Sequence, residues 1–160
     1  MSDRETSMYK KILVPIDGSR TANLGLREAI RLAKSQKARL LLLHVVDEHY
    51  ALVGAQPGPY IEDMIDSFRK DGRRIVGRAL DMTRRHGVKA RALMLESLSG
   101  GAADLIVRQA RKWGAQLIVL GTHGRRGVRR LVLGSDAEHV VRTAAVPVLL
   151  VRSGTSARRR

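Results

Sequence analysis

Leu117-Ile-Val-Leu-Gly-Thr-His-Gly-Arg-Arg-Gly-Val-Arg-Arg-Leu-Val-Leu-Gly-Ser135 decides how this chain is read. Four apolar residues, Leu117–Leu120, have the pattern of a strand covered on both faces. They run into a loop of glycines and arginines, which ends in Gly134-Ser135, a pair suited to the start of a helix. A strand, a glycine loop and a helix N-terminus in that order form a cradle for an anion. Glycine lets backbone approach a phosphate closely or take a positive φ, the first helical turn presents unpaired N–H donors, and the helix dipole favours negative charge there. The first functional hypothesis is therefore a bound phosphate, belonging to a nucleotide.

Working outward, the neighbouring segments are short apolar runs, several nearly continuous as in strands covered on both faces: Ile12–Ile16, Arg39–Val46, Val88–Leu95 and Val146–Val151. Between them lie four helical patterns. Ala22, Leu26, Ala29, Ile30 and Ala33 line one face of the first, and Ile61, Met64, Ile65, Phe68, Ile75, Val76, Ala79 and Leu80 one face of the second. Ala102, Leu105, Ile106, Ala110 and Trp113 mark the third, and Ala137, Val140, Val141 and Ala144 the fourth. Strands alternating with helices predict right-handed βαβ crossovers: a single-domain, open, parallel five-stranded α/β sheet with helices on both faces. Ligands of such sheets bind beyond the carboxyl ends of the strands, where strand order reverses. Asp17, Val45 to Asp47, Glu96 and Gly121 to Gly124 are expected at that edge. Outside the pattern, residues 1–8 read as a flexible N-terminal segment, His49–Tyr60 as a long loop, and Ser153–Arg160 as a mobile basic tail beyond a domain spanning 9–152.

Composition narrows the classes. The 160 residues are 44% hydrophobic and only 3% aromatic, so the core must be aliphatic. Thirty Lys+Arg against fifteen Asp+Glu leave a formal charge of +15, which attracts nucleotides, nucleic acid or anionic surfaces. The absence of cysteine excludes disulfides, thiolate catalysis and cysteine-bound zinc. Leu40–Leu43 with Val45 and Val46 is the longest apolar run and is far too short to cross a bilayer, so the expected setting is cytoplasmic, with no membrane partner.

Familiar nucleotide motifs are missing. There is no G-x-x-x-x-G-K-[ST] and no G-x-G-x-x-G after the first strand, which instead gives Pro15-Ile-Asp-Gly-Ser19. A response-regulator reading needs an aspartate ending the third strand, where Leu93-Met-Leu-Glu96 stands. His44, His49, His86, His123 and His139 form no close metal-ligand cluster, and no G-x-S-x-G elbow supports a serine nucleophile.

Gly121-x-x-Gly124, nine residues, then Gly134-Ser135 resembles the G-2x-G-9x-G-[S/T] signature of the ATP-binding branch of the universal stress proteins. Lys11-Ile-Leu-Val-Pro-Ile-Asp-Gly-Ser19 is similar to that family's opening strand, Leu42-Leu-His-Val-Val-Asp47 to its second and Val146-Pro-Val-Leu-Leu-Val151 to its last. The resemblance implies a Rossmann-like fold of the adenine nucleotide alpha hydrolase-like kind. It implies Pro15, Ile16 and Asp17 against adenine and ribose, with Asp17 accepting from ribose hydroxyls and the Val45 backbone pairing with the adenine edge. Gly121, His123, Gly124, Gly134, Ser135 and Asp136 would surround the phosphates of ATP, AMP or ADP, bridged by Mg2+ or Mn2+. A carboxylate at Asp136 departs from this picture, since beside phosphates it either repels them or helps hold a cation.

Each position also has a structural reading. Asp17 can cap the following helix or form an Asx-turn with Gly18, a role that stands equal to a ribose contact on local sequence alone. His44 reads as a hydrogen-bonded core histidine and His123 as a solvated loop residue, while Gly134-Ser135 can be simply a turn and cap. Arg125, Arg126, Arg129 and Arg130 strengthen positive potential beside the loop. No residue reads as a dedicated hydrolytic base, so the nucleotide is expected to act as a regulatory ligand in a non-enzyme, leaving room for slow hydrolysis. The competing class is a nucleotide-free polyanion or nucleic-acid binding protein of the same fold, against which stands the scarcity of aromatic stacking platforms. An adenylyl-transferring enzyme is disfavoured for want of a HIGH-like motif or added domain. Val146–Val151 is expected at a sheet edge and, by the family resemblance, to pair with its copy in a homodimer.

Overall fold

The computed structural model describes residues 7–49, 60–98, 101–122 and 133–152. In chain order these form β1 (Lys11–Pro15), α1 (Arg20–Gln36), β2 (Arg39–Asp47), α2 (Tyr60–Arg85), β3 (Ala90–Ser97), α3 (Ala103–Trp113), β4 (Leu117–Gly121), α4 (Ser135–Thr143) and β5 (Val148–Val151). All four strand pairings are parallel, in the order β3-β2-β1-β4-β5. From β1 the chain moves outward through β2 to β3, then crosses back to β4 and on to β5, so strand order reverses between β1 and β4.

Alternation along the strands builds two cores. Ile12, Val14, Leu40, Leu42 and Val119 meet Leu26, Ala29, Ile30 and Ala33 of α1 and Ala79 of α2 on one face. Leu13, Leu41, Leu43, Ile118 and Leu120 meet Ile106, Val107 and Ala110 of α3 and Ala137 and Val140 of α4 on the other. Strands buried on both faces are why β1, β2 and β4 read as continuous apolar runs rather than alternating ones. β5 lies at the edge, as its sequence predicts, and its four residues are half-buried.

The sequence reading misplaces β3 by two residues. Val88 is buried, but its amide donates to the Thr83 carbonyl at 3.0 Å, and Gly87 before it has φ +69. Val88 therefore seals the end of α2, and β3 starts at Ala90 and continues to Ser97, opposite Asp47 of β2. Apolarity marks burial, whereas strand membership needs ladder hydrogen bonds. Tyr60, assigned to the loop from sequence, opens α2.

Candidate functional site

Two turns meet at the point of reversal. After β1, Asp17 Oδ1 accepts from the Ser19 amide at 2.8 Å, and Ser19 caps α1 by accepting from the Ala22 amide at 3.1 Å. Asp17 is thus an Asx-type turn former and Ser19 the cap, a division of labour the local sequence leaves open. Gly18 between them has φ +79, with Ile75 of α2 packed 3.1 Å from where a Cβ would stand.

The β1–β2 ladder closes at Pro15 opposite Leu43, with the Ile16 amide donating to the Leu43 carbonyl at 2.8 Å. Val45, two residues further along β2, directs its backbone to the same side as Leu43 but past the end of that ladder. Next to it, the buried His44 ring contacts the Ile16 carbonyl through Nδ1 at 2.7 Å. A carbonyl only accepts, so Nδ1 carries the proton. α2 approaches the same ring so closely that a Cβ at Gly72 would lie 2.8 Å from His44 Cδ2 and from Met94 Cε. His44 is the core histidine that its sequence context predicts, and its partner is the backbone directly before Asp17.

At the end of β4, a Cβ on Gly121 would fall 2.5 Å from the Thr21 carbonyl carbon and 2.8 Å from the Ala22 amide nitrogen. The first turn of α1 thus rests directly on the exit of β4, and the backbone approach of the protein to itself is what requires glycine. The buried Thr122 follows; its amide donates to the Val151 carbonyl at 3.0 Å and its carbonyl accepts from the Gly134 amide at 2.9 Å. That second bond ties the start of α4 to the exit of β4. Gly134, the N-cap of α4, has φ −61 and ψ 148, an extended conformation open to any residue, and Ser135 is the first helical residue rather than the cap. Asp136 Oδ1 accepts from the Ala102 amide at 3.2 Å at the head of α3. His123, Gly124 and the arginines at 125, 126, 129 and 130 lie outside the described residues.

A third cluster went unread in the sequence. Arg69 of α2 donates through Nε and Nη2 to Glu96 at 2.8 and 3.2 Å, and Nη2 also donates to the buried Glu48 at 2.9 Å, joining the carboxyl ends of β2 and β3. The hydrogen bond from Arg69 holds the Glu96 carboxyl below the usual carboxylate range, against a smaller opposing effect of burial. Separations of 27 and 21 residues hide this clamp from any local pattern. Gly72 did carry a signal, because an internal helical glycine costs about 1 kcal/mol against alanine and so marks a packing demand.

Among the described residues, no three His, Cys, Asp or Glu side chains are grouped to hold a metal ion, and no helix is long and apolar enough to cross a membrane. The model of the universal stress protein family matches residues 8–152. A universal stress protein of Methanocaldococcus jannaschii, MJ0531, is 36% identical over 146 residues, covering 91% of this chain and 84% of its own. A crystal structure from the same family in Burkholderia pseudomallei has a TM-score of 0.74 and 37% identity, covering 92% of this chain and 98% of that one. At 19% identity, a family structure from Arabidopsis thaliana with AMP bound shares the fold, with a TM-score of 0.65 and coverage of 91% and 93%.

Proposed function

The chain belongs to the universal stress protein family, and from that premise we propose that it binds an adenine nucleotide, ATP in the first instance, as a regulatory ligand rather than as the substrate of an enzyme. The observation carrying this reading is the clasp between Thr122 and Gly134 beside the Asp17 turn, at the reversal of strand order. It brings the N-terminus of α4, the turn after β1 and the unladdered edge of Val45 to one end of the sheet. Pro15 and Ile16 flank the base, the Val45 backbone meets the adenine edge, and Asp17 accepts from the ribose. The phosphates lie on Gly121, His123, Gly124, Gly134 and the Ser135 hydroxyl and amide, with Asp136 bracing α3 at the margin of the site.

The donor set suits this ligand. Backbone amides and a hydroxyl at a helix N-terminus bind phosphate without a lysine. Mg2+ or Mn2+ beside such phosphates would keep most of its water and would need few protein ligands. When bound, it would neutralise phosphate charge.

The test is calorimetry with ATP on wild type and Gly134→Val, alongside mass identification of nucleotide released from denatured protein. The extended backbone of Gly134 accommodates valine, so the fold should persist while the added side chain occupies phosphate space. Unchanged affinity would remove the phosphates from this loop. We also propose a homodimer through β5. The carbonyls of Pro147 and Val151 face β4, so the backbones of Val148 and Leu150 face outward from the sheet edge. Light scattering should give twice the monomer mass, and Leu150→Pro, which removes an outward donor while sparing the β4 ladder, should lower it.

A further inference from the structure

We propose that the opposite end of the sheet, where the strands begin, is a docking surface for double-stranded nucleic acid, bound through its phosphates without sequence preference. This inference is independent of the nucleotide reading.

Backbone hydrogen bonds line up the strand starts. The Leu40 amide donates to the Lys89 carbonyl, the Arg39 amide to the Lys10 carbonyl and the Gln116 amide to the Lys11 carbonyl, each at 2.9 Å. Arg39 is level with Lys11 of β1, and Lys10 and Lys89 stand one residue before Lys11 and before Ala90, the partner of Leu40; these form a staggered row across three adjacent strands, spanning about 10 Å, in which Lys10, Arg39 and Lys89 are exposed. The last turns of α1, α2 and α3 end beside this row and add Lys34, Arg85 and Lys112, also exposed. No Asp or Glu occurs in 7–11, 34–39, 84–91 or 111–117, the segments that lead into β1 to β4 at this end.

Cations in the last turns of helices compensate the negative ends of the helix dipoles, and that accounts for Lys34, Arg85 and Lys112. It does not account for Lys10, Arg39 and Lys89, because strands have little net dipole. A carboxylate-free field of this kind matches a surface of regularly spaced phosphates. A protein partner would call for an apolar centre depleted in charge, whereas the exposed Met8 of these segments stands two residues from Lys10 and three from Lys11 among the cations. Single strands are disfavoured because the aromatic side chains of these segments, Tyr9 and Trp113, are both half-buried, Tyr9 packed against the core and Trp113 facing Lys11 Nζ, 5.6 Å from the ring centre.

The experiment measures fluorescence anisotropy of a labelled 24-base-pair duplex of arbitrary sequence with the full-length protein, across a salt series. Binding should weaken with log salt at a slope of about −3.5 to −4.5, corresponding to about four to five neutralised phosphates. Combining Arg39→Glu with Lys89→Glu should weaken it at least about tenfold and flatten the slope by about 2. The charge-matched pair Arg27→Glu with Arg108→Glu, exposed on the bodies of α1 and α3, should cost no more than about threefold. Neutral Arg39→Gln with Lys89→Gln provides the same comparison should the reversed pair fold poorly. Equal losses from both pairs would assign binding to overall charge, and an unaffected Arg39/Lys89 variant would assign it elsewhere on the chain. Phosphatidylglycerol vesicles bound more tightly than duplex, with the same sensitivity to Arg39 and Lys89, would make the surface a membrane contact. Any of these three results overturns the proposal.

Discussion

The two ends of the sheet are built from opposite materials. At the carboxyl end, where the proposed anion sits, the described residues are rich in carboxylates: Asp47 and Glu96 lie in the last two residues of β2 and β3, Asp17 and Glu48 follow strands, and Asp136 stands in the first turn of α4. The turns at the amino end hold lysine and arginine and no carboxylate at all. Helix dipoles explain part of this, since every parallel crossover turns its helix N-terminus toward the carboxyl end and its C-terminus toward the amino end. The lesson is that positive potential can come from backbone or from side chains. A phosphate at the carboxyl end would be met by directed N–H groups at short range, whereas the amino end offers side-chain charge with no preformed cradle. One arrangement suits a small ligand held in a fixed pose. The other suits a repeating polyanion held loosely.

The sharpest way to break the contrast is to disturb the close backbone approach on which the carboxyl end depends. Gly121→Ala should lower stability by about 3 kcal/mol, because the new Cβ meets the backbone of Thr21 and Ala22 and no flexible side chain can yield. Thermal unfolding should show this as a fall of about 6–12 °C. Asp17→Ala should weaken ATP by about 1–3 kcal/mol while inorganic polyphosphate binds almost as before, since a ribose contact is absent from the latter. Equal losses for both ligands in calorimetry would mean that the Asx-turn shapes the phosphate loop instead.

An amino-end counterpart is Gln116→Ala. Its Oε1 accepts from the Lys10 amide at 2.6 Å and the Lys11 amide at 3.2 Å, so the substitution should cost about 1 kcal/mol of stability and leave ATP affinity unchanged. The smallest effect belongs to Glu96→Gln. With its folded pKa depressed by Arg69, Glu96 contributes stability above the ordinary carboxylate range and loses it as pH falls through the lower folded value. Wild type minus variant stability should therefore be positive at neutral pH and shrink below roughly pH 4, by a small amount because the side chain is 48% exposed. A difference independent of pH would exclude the ion pair as its source.

Helix and strand order, the parallel sheet, the edge position of β5 and the reversal beside β1 and β4 were legible in the sequence, because aliphatic periodicity reports which faces are buried and alternation of helix with strand limits the connections. So was His44, whose setting in Leu40–Val46 makes a buried, hydrogen-bonded ring the simplest outcome. Reading Gly134 and Gly121 as partners in one loop followed from spacing, and the Thr122–Gly134 bond ties together the two ends of that loop.

Other assignments needed partners from distant segments. Sequence offered two roles each for Asp17 and Asp136, and only the folded chain set the Ser19 amide against one and the Ala102 amide against the other. At Gly121 the position a Cβ would take is occupied by the backbone of α1, a demand for glycine that no local pattern encodes. Arg69, Glu48 and Glu96 carried no joint signal until β2, β3 and α2 were packed together. The sequence by itself determined the sheet and its two buried faces, since burial periodicity is a property of neighbouring residues. Tertiary structure alone decided which polar group meets which amide and which glycine is filled by protein, because hydrogen bonds and close approaches depend on distances between segments that no local pattern encodes.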